Sequence, residues 1–369
     1  MKNKILPVIF ALASGIAIAS PPPHTTSEYA VRRSTYPRIL PGNRAEFRIV
    51  APDAQSVKVD IGNKYNATRG SDGAWYCITD SLGPGFHYYF IDVDGARVAD
   101  PASETFYGCG VAASGIEIPY PAGDTRFSIS HVPHGETAMR RYYSTPDSTW
   151  KQMMVYTPPC YHTSPDKTYP VLYLQHGGGE DQRGWCTQGR ADIILDNLIA
   201  AGMAKPMVIV MCDGNSRDFT NELIGDCIPL VESTYCVDTT SSGRALAGLS
   251  MGGIQALNTA ISHPELFSYV GVFSSGWWAD SKAPAGMGLD VEKYYDMLAA
   301  DCDGYNRRFR SFYLTMGGPE DIAWRNCNIM RGRFDRLGIR YEYFETPGGH
   351  TWPVWRESLY RFAQQLFKD

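Results

Sequence analysis

The sequence predicts an α/β protein in which an antiparallel β-sandwich precedes a mostly parallel sheet flanked by helices. Three observations predict it. Between about residues 37 and 100, apolar and polar residues alternate with period two in short runs, the pattern of half-buried strands. From about Trp150, apolar runs of strand length alternate with longer helical stretches, as in a parallel sheet with crossover helices. The chain also has 369 residues, more than one ordinary core and about right for two.

Taken in order, Lys2 and Lys4, the apolar run 5–18 and the small residues Ala17 and Ala19 read as a signal peptide over residues 1–19. The run is too short to span a membrane, and no cysteine lies near the cleavage point to carry a lipid. A secreted or periplasmic protein is expected. Residues 20–36, rich in Pro, Ser and Thr, are expected to be a linker. The sandwich is expected over residues 37–120, with strands at 45–50, 56–61, 74–78 and 87–93 and hairpin turns at Asp72-Gly73 and Asp94-Gly95. The second unit is expected over residues 121–369. Its strands fall at 152–156, 171–175, 207–211, 244–249, 269–273, 311–315 and 340–344. Its helices fall at 191–201, 218–231, 252–262, 291–300, 323–337 and 354–367. Residues 101–149 hold Gly and Pro clusters and one polar strand-like run, and take only a loose assignment.

Composition narrows the partners. A net charge of −5 and no basic run argue against nucleic acid or an anionic membrane. No later run reaches the length of a membrane span. The nine cysteines are scattered without a C-x-x-C pair, so no zinc site is expected, and their odd number leaves at least one unpaired. Neither a metal nor an organic cofactor is implied, and the oligomeric state is not legible.

The chemistry centres on Gly248-Leu249-Ser250-Met251-Gly252. A strand-like run leads in and a helix-forming run leads out, the setting in which a serine hydroxyl projects above a sheet on a tight turn. The Met251 N–H then faces a developing oxyanion. Upstream, the strand 171–175 runs into His176-Gly177-Gly178-Gly179, a glycine loop whose amides complete an oxyanion hole. No Lys-Ser/Thr follows it, which excludes a P-loop; His176 itself is expected to be structural. In folds built this way the order is serine, acid, histidine. Only His263 and His350 follow Ser250. His263 closes the helix that starts at the serine, so His350, in a loop before the last helix, is the candidate base. The acid is expected in Gly317-Gly318-Pro319-Glu320-Asp321, as Asp321 or, alternatively, Glu320. Trp185, Trp277, Trp278 and Trp352 are candidates to line the cleft and stack on an aromatic acyl group.

Two resemblances follow from these residues. Phe47-Arg48-Ile49-Val50-Ala51-Pro52-Asp53-Ala54, Asp72-Gly73-Ala74-Trp75 and Gly83-Pro84-Gly85-Phe86-His87-Tyr88-Tyr89-Phe90 resemble carbohydrate-binding module family 48. That resemblance implies an immunoglobulin-like sandwich and, through Trp75 or the Tyr88-Tyr89 pair, a possible contact with sugar. The segment from about 140 to 369 is similar to carbohydrate esterase family 1, the esterase-D-like feruloyl and acetyl xylan esterases of the α/β-hydrolase fold. The likeness is carried by His176–Gly179 with Trp185, by Gly248–Gly253, and by Gly348-Gly349-His350-Thr351-Trp352 with Trp355. It implies a triad of Ser250, His350 and Asp321 and an oxyanion hole of Met251 and Gly178. It also implies hydrolysis of feruloyl or acetyl esters on a plant polysaccharide such as xylan. A siderophore esterase, an acyltransferase and a non-catalytic glycan-binding protein are the alternatives. The N-terminal module is expected to fold separately and to be dispensable for small esters.

Overall fold

The computed structural model describes residues 23–368 apart from Arg32, Pro165 and residues 278–289. The expected signal peptide and Trp278 lie outside the described residues.

Residues up to 118 form two antiparallel sheets. One orders Thr25–Thr26, Arg38–Leu40, Arg44–Ile49, Trp75–Ser81 and Thr68–Arg69. The other orders Thr105–Gly108, Val111–Ile118, Gly85–Val93, Val57–Ile61 and Asn63–Asn66, with Ala96–Val98 on the side of Gly85–Val93. The period-two alternation explains the packing: Phe47, Val59, Tyr89, Ile91 and Ile116 point inward and are fully buried. Asp94 and Gly95 both take positive φ, 50° and 90°, as the tight hairpin turn requires. Two departures from expectation stand out. Residues 105–118, inside the expected bounds of the sandwich but given no strands, form a hairpin paired to it, and part of the expected linker pairs as the strand Thr25–Thr26.

The second unit is an eight-stranded sheet: β1 Glu136–Ser144, β2 Thr149–Thr157, β3 Val171–Gln175, β4 Val208–Cys212, β5 Arg244–Leu249, β6 Tyr269–Phe273, β7 Ser311–Met316 and β8 Glu342–Glu345. Its order is β1-β2-β4-β3-β5-β6-β7-β8. β1, β2 and β4 pair antiparallel and every other pair is parallel. Strands β3 to β7 are buried at every residue, which is why they read as continuous apolar runs. The main flanking helices are α1 Ala191–Ala200, α2 Met251–Ser262, α3 Glu292–Ala300, α4 Trp324–Leu337 and α5 Trp352–Ala363. The helix expected at 218–231 carries a π-helical turn at Leu223–Cys227, and a short helix at Cys302–Arg308 was not foreseen. All nine cysteines are unpaired, and no described helix is long and apolar enough to cross a membrane.

The two units are not separately packed. Phe86 and Phe106 of the sandwich belong to the same apolar cluster as Phe127, Trp185, Trp352 and Trp355. The turn between strands 105–108 and 111–118 reaches the glycine loop after β3, where the Gly110 N–H donates to the Gly179 carbonyl at 2.9 Å.

Candidate active site

Ser250 is the single residue between β5 and α2, and its backbone sits at φ 51°, ψ −116°. Such a conformation is costly for a residue with a side chain. The surrounding glycines let the turn form. A Cβ on Gly248 would lie 2.3 Å from the Gly252 carbonyl oxygen, and one on Gly252 would lie 2.5 Å from the His176 carbonyl oxygen. The turn is tied down by the Ser250 N–H donating to Phe273 O at 2.9 Å and by the Ser275 hydroxyl donating to Ser250 O at 2.6 Å.

Asp321, in the loop after β7, accepts from His350 Nδ1 at 2.8 Å. That bond leaves Nε2 as the ring's acceptor. The Asp321 side chain is fully buried while His350 remains 18% exposed. Burial pushes the Asp321 carboxyl up, but hydrogen bonds from His350 and the Ala323 N–H, both to Oδ1, help outweigh it and hold the group below the usual carboxylate range. Glu320 is exposed. The two loops are pinned together by the Gly318 N–H donating to Gly348 O at 2.7 Å.

Met251 opens α2 immediately after the serine. The glycine loop lies over it: a Cβ on Gly177 would meet Leu249 at 2.5 Å and the Ser250 Cβ at 3.3 Å. Gly178 borders open space and lines the cleft. His176 sits beneath, buried, donating from Nδ1 to Gly177 O at 2.8 Å and accepting at Nε2 from the Gly214 N–H at 2.9 Å. Both ring nitrogens are thus engaged with backbone.

Ser250 and His350 stand on the boundary of two cavities. The first, about 290 Å³, runs between the sandwich and the second unit and includes Gly178, Glu180, Trp352 and Trp355 together with Ile61, Phe86, His87, Tyr88 and Cys109 of the sandwich. The second, about 210 Å³, is lined by Met251, Ile254, Ser275, Ile322, Ala323 and Asn326 among others.

Of the three described tryptophans expected to line the cleft, Trp185, Trp277 and Trp352, only Trp352 does. Trp185 is buried, donating to Gln175 O at 2.8 Å and meeting Trp352 edge-on. Trp277 is also buried, stacked on Tyr294 at 5.4 Å and donating to Asn258 Oδ1 at 2.9 Å. Both are core residues, because an indole with a satisfied N–H packs well beneath a loop. In the sandwich, Trp75 packs inward with its N–H on Ala51 O at 3.0 Å, and Tyr89 is fully buried.

Sequence reasoning missed Glu180, and it named Tyr88 only as half of a pair with Tyr89 for contact with sugar, not as a residue of this cleft. The Tyr88 hydroxyl lies 2.9 Å from both carboxyl oxygens of Glu180, accepts from Trp352 Nε1 at 3.2 Å and is also bonded by Gln188. Burial raises the Glu180 carboxyl to about 8, against the donors Tyr88 and Trp352 and with help from Asp181. The available signal was Phe86-His87-Tyr88-Tyr89-Phe90: a strand aromatic on both faces has both faces covered.

Residues 149–366 match the model of the Esterase family. The endo-1,4-beta-xylanase/feruloyl esterase of Xylanibacter ruminicola is 32% identical over 355 residues, covering 90% of this chain and 46% of that protein. The chain spans less than two thirds of the length of the curated relatives it matches. A CE1 ferulic acid esterase from Anaeromyces mucronatus, solved with ferulic acid, aligns with TM-score 0.57 and 24% identity over 67% of this chain and 96% of that one. The enterochelin esterase of Shigella flexneri aligns with TM-score 0.68 and 18% identity over 88% of this chain and 92% of that one. The likeness to the two solved esterases shows a shared α/β-hydrolase fold.

Proposed function

We propose, since the chain belongs to the Esterase family, that it is a serine carboxylic-ester hydrolase acting on feruloyl or acetyl esters carried by a plant polysaccharide such as xylan. The observation that carries the reading is the buried Asp321 bonded to His350, with His350 and Ser250 on the same cavity walls. His350 Nε2 takes the Ser250 proton as the hydroxyl oxygen attacks the ester carbonyl. The oxyanion is received by the Met251 and Gly178 amides, each worth about 3–4 kcal/mol of barrier. Collapse breaks the bond to the alcohol, whose oxygen takes the proton from His350. Water then adds to the acyl-enzyme by the same steps, releasing the acid. Asp321, held ionised, fixes the imidazole tautomer and stabilises the imidazolium.

The substrate reading draws on the relative named as a feruloyl esterase, which aligns with 90% of this chain. The second cavity favours a bulky acyl group, since a two-carbon acyl group leaves most of its 210 Å³ empty. Among the described residues lining either cavity there is no lysine or arginine, which weighs against a highly anionic substrate such as a ferric siderophore. The signal-like residues 1–19 fit an enzyme that works outside the cytoplasm. Purified protein assayed with methyl ferulate, p-nitrophenyl acetate and acetylated xylan tests the reading. Turnover of methyl ferulate is the expected result; turnover of acetylated xylan alone narrows the acyl group to acetyl, and turnover of none overturns the esterase.

A further inference from the structure

Resting on the esterase reading above, we infer that the cleft between the sandwich and the hydrolase unit is the subsite for the alcohol half of the ester, and that this alcohol is a glycosyl group read in part by the sandwich.

Two cavities meet at Ser250 and His350. A tetrahedral carbon on the serine therefore sends its acyl chain into one and its alcohol oxygen toward the other. His350 borders both, so the walls that continue from it decide which. His350, Thr351 and Trp352 in succession, and then Trp355, line the first cavity, and the Trp355 ring stands edge-on to His350 at 5.1 Å. An alcohol leaving with the His350 proton departs into this cleft. The second cavity, with Met251, Ile254, Ile322 and Ala323 on its wall, suits the acyl chain.

The first cleft also carries the functional groups a sugar needs. Trp355 is 6% exposed and its indole N–H has no acceptor among the described residues. A buried donor left unpaired is costly, and a ligand oxygen in the cleft would relieve it. His87 is half-buried, with Nε2 2.7 Å from the Gly83 carbonyl; Nε2 is then the donor, and Nδ1 is left as an acceptor. Burial depresses the basicity of this ring, so at neutral pH it is uncharged. Glu180, about half or more protonated at pH 8 and below, brings a neutral carboxyl rather than a fixed charge. Phe86 and Ile61 add apolar surface. A donor, acceptors and a flat apolar wall match a ring bearing hydroxyls on its edge and C–H groups on its faces. Methanol, the alcohol of a methyl ester, is too small to reach them.

The experiment compares kcat/KM for a feruloylated arabinoxylo-oligosaccharide with that for methyl ferulate. Wild type is expected to favour the sugar ester by tenfold or more. Trp355→Phe, which keeps a ring and deletes the N–H, and His87→Ala are each expected to lower that ratio about fivefold to tenfold. Ile322→Trp, in the other cavity, is expected to slow both esters alike and leave the ratio in place. Binding of the unesterified oligosaccharide to Ser250→Ala, followed by calorimetry, gives a readout independent of turnover, and adding Trp355→Phe should weaken it. The inference is overturned if wild type does not distinguish the two esters, or if Trp355→Phe and His87→Ala slow both equally. If wild type hydrolyses neither methyl ferulate nor p-nitrophenyl acetate, the esterase reading itself fails and takes this inference with it.

Discussion

Arg356, in the second turn of α5, donates to Glu117 at the end of the sandwich, through Nη1 at 2.6 Å and Nη2 at 3.0 Å. The two residues are 0% and 6% exposed, and the Arg356 Nε is satisfied by Gln188 O at 2.8 Å. Nearby, burial lowers the Arg190 guanidinium to about 9, with repulsion from Arg356 adding to the effect. As a whole such a pair gains little over water, but removing one partner strands a charge in the interior. Glu117→Ala is expected to cost about 3–5 kcal/mol, measured as a fall in the midpoint of thermal or urea unfolding. An unchanged midpoint would mean that Arg356 finds another counter-charge.

Deleting residues 23–120 is expected to abolish hydrolysis of small esters as well as large ones. The deletion removes Phe86 and Phe106 from the shared core, the partner of Arg356, and one wall of the cleft. This reverses the expectation that the module is dispensable. A soluble, folded truncation that turns over p-nitrophenyl acetate at the full-length rate would restore it.

Ser250→Ala is expected to eliminate turnover without disturbing the circular dichroism spectrum, because Ser250 sits at the cleft rather than in the core. Persistent turnover by a clean preparation would remove the serine from the mechanism.

Asp321→Asn is expected to lower kcat on the order of 10⁴-fold by presenting the wrong tautomer to Ser250. Glu320→Gln, at an exposed position, should change kcat less than about threefold. The opposite ranking would transfer the role of acid to Glu320.

Glu180 gives a pH signature in stability. Its folded value of about 8 lies above the ordinary 4.5, so between those values the folded state holds a proton that the unfolded chain releases. Stability therefore falls as pH rises through that window, by at most about 1.4 kcal/mol per pH unit, and levels off above it. Glu180→Gln retains an acceptor for Tyr88 and should flatten the slope. Thermal midpoints of both proteins at pH 5, 6.5 and 8 are the check; parallel curves would mean the carboxyl is ionised throughout.

The serine, histidine and acid of the proposed triad stand out in the sequence because the chemistry proposed for them dictates local sequence. Gly248 and Gly252 are forced by backbone approaches under 3 Å, and the order of serine, acid and histidine follows from the sheet. Strands β3 and β5 to β7 were equally plain, being buried throughout and mostly apolar. What escaped notice depends on docking. β1 is exposed at most of its residues and is held by pairing with β2, so it has no apolar signature of its own. Trp277 follows a strand at the catalytic edge, yet whether its ring turns to the cleft or to Tyr294 depends on where α3 packs. Tyr88 and Tyr89 are adjacent and chemically alike. One faces the cleft and the other the sandwich core, and only the arrival of the second unit gives the outward face its partner.

The bond from Gly110 to Gly179 ties the length of a turn in the sandwich to the position of the glycine loop in the other unit. Lengthening that turn by one residue would shift the donor that anchors the loop bearing Gly178, and with it the proposed oxyanion site. Modules joined by a free tether can be exchanged between enzymes like cassettes. Here a sandwich grafted from a relative is expected to need a glycine loop matched to its turn and a matching share of the core at Phe86 and Phe106.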